Sequence, residues 1–481
     1  MNWNAKVMDG LSRRSSERDK EDALGTVTEF AGLSTYLEAF RELQQRTSWQ
    51  PEWLRSLREK AFARFSDVGF PTIKDEAWRF TNVAPISREL FSRPKTGSLE
   101  LTIDDLKPFL LSITACRLVF VNGDFVPELS DTHALPFGVE AGSLAIAIAR
   151  NAATLEQHLG RYLDIEHDSF CRLNTAFLED GAYIRIAQGI VLDAPIHLLF
   201  LSTEADVPWM IHPRNLILAE GNAQANIVEE HISLGDGKLF SNIATELVAA
   251  ENAVIAHHMV ECQNRETFHV STLRVQQARE ANITSHSLLT GGAIVRNNVH
   301  PVLAGEGAQC LINGLFIGDN SQHLDNYMLV EHAAPHCASH QFYNGILSGS
   351  AHGVFHGRII VHKDAQKTDA KQTNRNLLLS DDAQIDTKPQ LEIHADDVKC
   401  THGATIGQLD EKALYYLRSR GIDENAAREL LLFAFAGECL GRVRSTSVRE
   451  HLEQIVYQSL PEGTQPPAAR SDTGRHFEEI G

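Results

Sequence analysis

The feature that most limits how this chain can fold is a long run of short alternating strands. Between Gly181 and about residue 410, segments such as YIRIAQGIVL, NLILAEGNAQANIVEEHISL, AVIAHHMVEC and ANITSHSLLTGG follow one another, with Gly, Asn and Asp between them. Apolar and polar residues alternate within each segment, which is the period of a strand. A turn residue, an alanine and a strand recur at Ala223, Ala253, Ala281, Ala308, Ala351 and Ala383, at gaps of 30, 28, 27, 43 and 32 residues. Self-similarity near this period marks stacked coils, each burying its apolar side only against its neighbours. The chain therefore reads as mainly β, with a parallel β-solenoid at its core. An antiparallel sandwich is the competing arrangement, but two-residue hairpin turns are few in this region.

Helical spacing flanks the strands on both sides. Leu33, Tyr36, Leu37, Phe40 and Leu43, and then Trp53, Leu54, Leu57, Ala61 and Phe65, recur at three and four residues. Pro51 stands near the start of the second helix, where proline is tolerated. Pro71 to Phe80 reads as an aromatic-anchored connection, and Arg117 to Phe125 as a strand closed by an Asn-Gly turn. Helical spacing returns from Leu144 to Leu163. At the far end, Asp410 caps a helix that stops at Gly421, and Asp423 caps a second. Apolar residues cover most of that second helix, so it is expected to be buried in its own core or against a partner. Ser447 opens a third, short helix. The expected organisation is a polar disordered leader (1–26), a mostly helical α/β region (27–176), a β-helix core (177–408), a C-terminal helical domain (409–460) and a disordered, proline-containing tail (461–481).

Sixty-three acidic residues against forty-four basic ones give a net charge of −19, which argues against nucleic acid or an anionic membrane as the main partner. No apolar run approaches the ~20 residues needed to span a bilayer. The first 25 residues lack the apolar centre of a signal peptide. The seven cysteines are odd in number, scattered, and contain no CxxC pair. That pattern disfavours both a secreted disulfide framework and a self-contained four-cysteine zinc or cluster site. Reduced thiols, and with them a cytoplasmic setting, fit better.

Phosphate-cradling GxxxxGK[ST], GxSxG, HExxH and strand-linked GxGxxG motifs are all missing. Asp381-Asp382 and Asp396-Asp397 are adjacent pairs that point opposite ways on a strand and suit solvated turns. The stretch Ala383 to Thr405 is the most informative chemically. It starts as an alternating strand with Ile385, Leu391 and Ile393 on one face, turns at Ala395-Asp396-Asp397, and delivers Cys400 and His402. Side chains two apart on a strand share a face, so a thiol and an imidazole stand side by side, a donor set for iron or zinc. Two donors do not complete a site; further ligands must come from elsewhere, another chain included. The alternative is a buried cysteine beside a hydrogen-bonded histidine. His300, His323, His332, His336, His340, His352, His356, His362 and His394 add many imidazoles. Singly each suits a hydrogen-bonding ladder; together they offer a metal-handling surface.

Seven ordered segments resemble the SufB/SufD family of iron–sulfur cluster assembly scaffolds: Ser321–Asn326, Gly353–Ile359, Ala365–Gln372, Asn376–Ser380, Lys388–Ile393, Lys399–Thr405 and Tyr416–Ile422. Pro71 to Thr81 is similar to the family's Lys-x-Glu-x-Trp stretch. Gly403 and Leu417 fit the SufD type better than the SufB type. The resemblance implies a right-handed parallel β-helix between helical ends and a non-catalytic scaffold. It also implies pairing with a SufB-like subunit and docking of a SufC-like ABC-type ATPase on the C-terminal helices. Arg418, Arg420, Gly421, Leu430, Leu431, Phe433 and Ala434 fall in that docking region. His402 matches the histidine that faces a SufB cysteine, and Cys400 the cysteine two before it. Iron or a cluster would be held there transiently and shared with SufB, with no resident cofactor. The other readings are a homodimeric scaffold that acts without SufB, and a β-helix carbohydrate-acting enzyme, for which 7% aromatic residues is a poor supply of sugar-stacking rings.

Overall fold

The computed structural model describes residues 23–94, 101–204 and 206–461. The expected disordered leader and tail lie outside these residues, except that the first helix, Ala23–Arg46, opens inside the leader and Pro461 belongs to the tail. The helices Glu52–Val68, Leu144–Leu155 and Ser169–Ala176 make up most of the rest of the helical N-terminal region. The Asn-Gly hairpin forms as expected: Cys116–Val121 pairs antiparallel with Asp124–Phe125, and Asn122 and Gly123 have φ of 52° and 91°.

From Ala182 onward successive strands fall into two sheets and pair parallel within them. One sheet runs from Ile196–Ser202 through Gln224–Ser233, Val254–Cys262, Asn282–Leu289, Gln309–Gly318, Ala338–Leu347 and Asp369–Leu378 to Lys399–Gly407. The other runs from Ala182–Ile186 through Arg214–Ala219, Leu239–Ala249, Phe268–Gln277, Ile294–Leu303, His323–His332 and His352–Val361 to Gln384–Ile393. Each coil gives one strand to each sheet, and about eight turns build a β-solenoid. Parallel pairing rules out the sandwich. Among the described residues, antiparallel pairs occur only at the N-terminal end, in the hairpin, at the Arg117–Asp131 bridge and between Val139–Ser143 and Ala182–Ile186.

The irregular spacing of the alanines has a geometric cause. Ladder bonds link Val254 N to Ala223 O, Asn282 N to Ala253 O, Gln309 N to Ala281 O and Ala338 N to Ala308 O, at 2.8 to 3.0 Å. Asp369 N and Lys399 N then bond the carbonyls of Cys337 and Thr368. One corner is therefore the column Ala223, Ala253, Ala281, Ala308, Cys337, Thr368. Ala351 belongs to the other corner, in register with Gln322. The 43-residue gap is a change of corner, not a longer coil. The residue before each member of the column, from Asn222 through Asn252, Glu280, Gly307 and His336 to Lys367, has φ between 56° and 72°. This left-handed conformation turns the chain, and Asn and Gly adopt it at least cost. At Gly307 a side chain would also meet Glu280, whose carboxylate lies 2.8 Å from the position of a Cβ.

The lumen is packed with inward-facing Ile227, Ile255, Ile283, Ile312, Val299, Met328 and Phe355. Burial of each such side chain contributes about 1.5–3 kcal/mol. The outer face of the second sheet is covered by the N-terminal helices, where Phe40, Phe62, Trp78 and Phe170 meet Met210, Phe240 and Phe268. The outer face of the first sheet is covered by the helices Glu424–Leu440 and Thr446–Ser459, where Leu432, Phe435, Leu440, Leu452 and Val456 meet Val228, Val260, Leu288 and Leu315. Asp410 and Asp423 cap as expected, accepting from Lys412 N at 2.8 Å and Ala426 N at 3.0 Å. The helix after Asp423 is not buried all round, however: Leu430 is 51% exposed and Ala434 also faces out.

A buried charged contact fastens the last helix to the solenoid. His451 Nε2 lies 3.1 and 3.0 Å from the two carboxylate oxygens of Glu230, and His197 Nε2 lies 3.0 Å from one of them. Burial opposes the charge on Glu230, yet the hydrogen bonds of His197 and His451 pull it down to about 2. Burial likewise opposes charge on His451, and the hydrogen bond and charge of Glu230 more than offset it, raising His451. The raised histidine contributes stability that is complete below its unfolded value, near 6.5, and is lost as pH climbs through the folded value. The depressed carboxylate contributes above about 4.5 and loses its contribution as pH falls toward 2. Thermal unfolding of the His451→Gln chain, compared with the parent, should give its largest destabilisation between about pH 4.5 and 6.5, on the order of 1.5–3 kcal/mol, shrinking toward pH 9. A difference that grows with pH would contradict this assignment.

Candidate functional site

The last strand, Lys399–Gly407, ends the first sheet, and Gln384–Ile393 ends the second. Among the described residues each pairs on one side only, so the solenoid finishes in two free parallel edges. Pro389, which has no N–H to give a ladder, sits in one of these edge strands, as proline requires. Apolar side chains stand open at the same end: Ile393 is 41% exposed and Ile406 52%.

Register places the two metal-capable side chains. Cys400 pairs with Ala370 and His402 with Gln372, both buried members of inward-facing columns. Cys400 and His402 thus share the luminal face, at the coil that no further coil covers. Cys400 is half-buried and packs against the luminal core; His402 is exposed. Burial pushes the Cys400 thiol up, the charge of Asp369 adds to this, and the Ala370 amide opposes it. Metal binding must therefore displace a proton from this sulfur. All seven cysteines are unpaired, and five of them are fully buried. Among the described residues no group of three or more His, Cys, Asp and Glu side chains is placed to hold a metal ion. This chain offers two donors at an open end, and a complete coordination sphere needs others.

The expected docking residues lie on different elements, the two helices that follow that strand. Arg418 pairs with Glu424 at 3.3 Å, and Arg420 lies over the Tyr416 ring at 5.2 Å. Gly421, with φ of 87°, separates the helices Glu411–Ser419 and Glu424–Leu440. Leu431 and Phe433 are half-buried, the latter edge-on to Tyr457 at 6.2 Å. Leu430 and Ala434 are exposed one turn apart, and Tyr415 and Tyr416 on the neighbouring helix are 75% and 57% exposed. Exposed apolar and aromatic side chains and two arginines thus stand on these two neighbouring helices.

His300, His323, His352 and His356 share the outer face of the second sheet, with the His323 and His352 rings 4.8 Å apart, while His332, His336 and His340 lie elsewhere. His300 and His362 flank Glu331, the latter at 3.5 Å. His340 faces Asp369, His352 Asp386, and His356 Gln390. His332 lies in the core, bonded to Ser339, and His336 turns a corner. Burial pushes His323 and His332 down to about 4, so both are neutral near pH 7. Pro71 to Phe80 forms the aromatic-anchored connection expected of it, with partners that sequence reasoning did not name. Glu76 pairs with Lys388 at 2.8 Å, Trp78 stacks under Arg296, and Thr81 bonds His323 and Asp325. The loop binds the N-terminal region to three strands of the second sheet, including its free edge strand. Its aromatic and charged residues, clustered in a short loop, were the available signal.

A two-sheeted parallel β-solenoid with helices at both ends, and a thiol and an imidazole on one face of its last coil, defines the class of fold to which this chain belongs. The family model of the SUF system FeS cluster assembly SufBD core domain matches residues 200–435, and that of the SufBD protein N-terminal region matches 32–198. The chain belongs to the SufBD family of iron–sulfur cluster assembly proteins. It is 33% identical over 444 residues to an iron–sulfur cluster assembly SufBD family protein of Synechocystis, covering 90% of this chain and 97% of that one. It is 32% identical over 401 residues to the iron–sulfur cluster assembly protein SufD of Escherichia coli, covering 83% and 91%. Against SufD of Bacillus subtilis it is 25% identical over 439 residues, covering 88% and 97%. Among the described residues no helix is long and apolar enough to cross a membrane.

Proposed function

We propose that this chain is a non-catalytic scaffold subunit of SufD type. It pairs edge to edge with a SufB-like subunit and carries a SufC-like ABC-type ATPase on its C-terminal helices, in the cytoplasm. The observation that carries the reading is the open end of the solenoid. Unpaired strand edges are templates for another chain, and here they flank exposed Ile393 and Ile406 and present Cys400 and His402 on one face. A partner's donors, added at that edge, complete a sphere around iron that this chain only begins. Ferrous iron or a nascent cluster is cargo, and a thiolate with a neutral imidazole suits it. The exposed Leu430–Ala434 stripe with Tyr415 and Tyr416 fits an ATPase surface that pulls on the helices. ATP-driven movement would open and close the edge-to-edge interface, gating access to His402.

Anaerobic co-purification with the SufB-like and SufC-like proteins of the same source tests this. The expected result is a three-protein complex. Leu430→Asp should remove the ATPase while keeping the SufB-like subunit, because an unpaired carboxylate buried at the contact weakens binding by roughly a hundredfold. A chain that binds neither protein overturns the reading. One that forms only dimers of itself through the same free edges points to a self-paired scaffold.

A further inference from the structure

Every coil between His257 and His402 puts a polar side chain into the lumen at one level. On the first sheet the in-register column is His257, Ser285, Ile312, Gln341, Gln372 and His402. On the second it is Ser271, Asn297, Asn326, Phe355 and Thr387. The two apolar members do not break the line. The coil with Ile312 supplies Asn326, and the coil with Phe355 supplies Gln341.

Much of this polarity has no partner within the protein. Asn297 Nδ2, both amide atoms of Asn326, Gln341 and Gln372, and Thr387 Oγ1 are buried and unbonded. An unsatisfied buried group costs about 1–3 kcal/mol, so eight in one file is not a dry arrangement; buried water is the usual partner. Space is present at the inner end of the file. At the inner end a cavity of about 10 Å3, the room one water centre needs, is lined by Glu229, Thr245, His257, Ser285 and Asn297. Nearer the open end, Gln341 Oε1 and Gln372 Nε2 converge on Gly357, where a Cβ would lie 3.2 and 2.9 Å from them. A methyl group there would crowd both amides and Phe355, so Gly357→Ala constricts this point of the file.

The inner terminus is built to take a proton. Glu229 accepts from His257 Nε2 at 3.0 Å and from His231 Nε2 at 3.1 Å, with Thr245 Oγ1 at 2.9 Å. His257 Nδ1 is buried and without a partner. We propose that the lumen holds a file of water that carries protons between the open end, where Cys400 and His402 stand, and the buried Glu229–His257–His231 cluster. A proton passed along the file binds His257 Nδ1 and forms an imidazolium against the Glu229 carboxylate. Release reverses the step, each water giving up one proton as it gains another. The file rests on the proposed function only for the cargo role of the groups at its mouth.

The test uses the whole chain, free of metal and partners, with 15N-labelled histidine. Solvent exchange of the His257 ring N–H, read by NMR, should be about tenfold slower in Gln372→Leu and in Gly357→Ala than in the parent, with the amides of Val254–Cys262 unchanged. A high-resolution crystal structure should place waters on Asn326, Gln341 and Gln372. Equal exchange in parent and variants, or side-chain amides bonded to one another in a dry ladder, overturns the proposal. Because no partner protein is involved, failure to form a three-protein complex leaves this result readable.

Discussion

Replacing Arg296 with methionine should destabilise the chain by about 3–5 kcal/mol, the cost of stranding a buried charge. Arg296 is 2% exposed, and its guanidinium lies 3.8 Å from the Trp78 ring centre and 4.6 Å from that of Tyr327. Its Nε donates to Asn298 Oδ1 at 2.9 Å, and its other arm pairs with Asp325, which is fully buried. Without the cation, Asp325 keeps a charge that only Thr81 and the His323 neighbourhood can meet. The cation–π contacts add roughly 0.5–2 kcal/mol to the loss. Because Trp78 sits in the loop that joins the N-terminal region to the second sheet, the loop should come away first. Urea unfolding followed by tryptophan fluorescence, with proteolysis at residues 71–81, reads both effects. The Arg296→Met, Asp325→Leu double variant should recover most of the stability, since removing both charges leaves none unpaired. Stability unchanged in the single variant would show that Asp325 is not charged in the folded chain.

The second large effect is functional. With the SufB-like and SufC-like partners present, His402→Ala should lower cluster formation at least about tenfold, the scale on which metal sites respond to loss of supporting groups. The chain itself should stay within about 0.5 kcal/mol of the parent, because His402 is exposed at an uncovered coil. Cys400→Ser should act in the same direction. It is half-buried, so its variant also loses packing against the luminal core. Iron content and the visible absorption of the anaerobically assembled complex measure the first effect, and thermal unfolding of the isolated chain the second. Normal assembly by His402→Ala, in a complex that still forms, would remove His402 from the site while leaving the scaffold role in place.

What the sequence determined by itself is what depends on neighbours a few residues away. Strand alternation, the Asn122-Gly123 hairpin, the Asp410 and Asp423 caps and the shared face of Cys400 and His402 all follow from local geometry. Only the tertiary structure decided which face that is. Stacking of Cys400 on Ala370 and His402 on Gln372 turns both to the lumen, and a slip of one residue would have turned both outward. The same stacking assigned Ala223 and Ala351 to different corners, which spacing alone merged into one repeat. Contacts across long sequence separations were invisible for the same reason. His451 meets Glu230 across 221 residues, and Thr81 meets Asp325 across 244. The helix after Asp423 is apolar nearly all round, so its composition did not say which side packs on this chain; only the position of the first sheet selects Leu432, Phe435 and Leu440 for burial and leaves Leu430 and Ala434 outside. Periodicity specifies how a strand or helix is patterned; which pattern faces the core is settled by what packs against it.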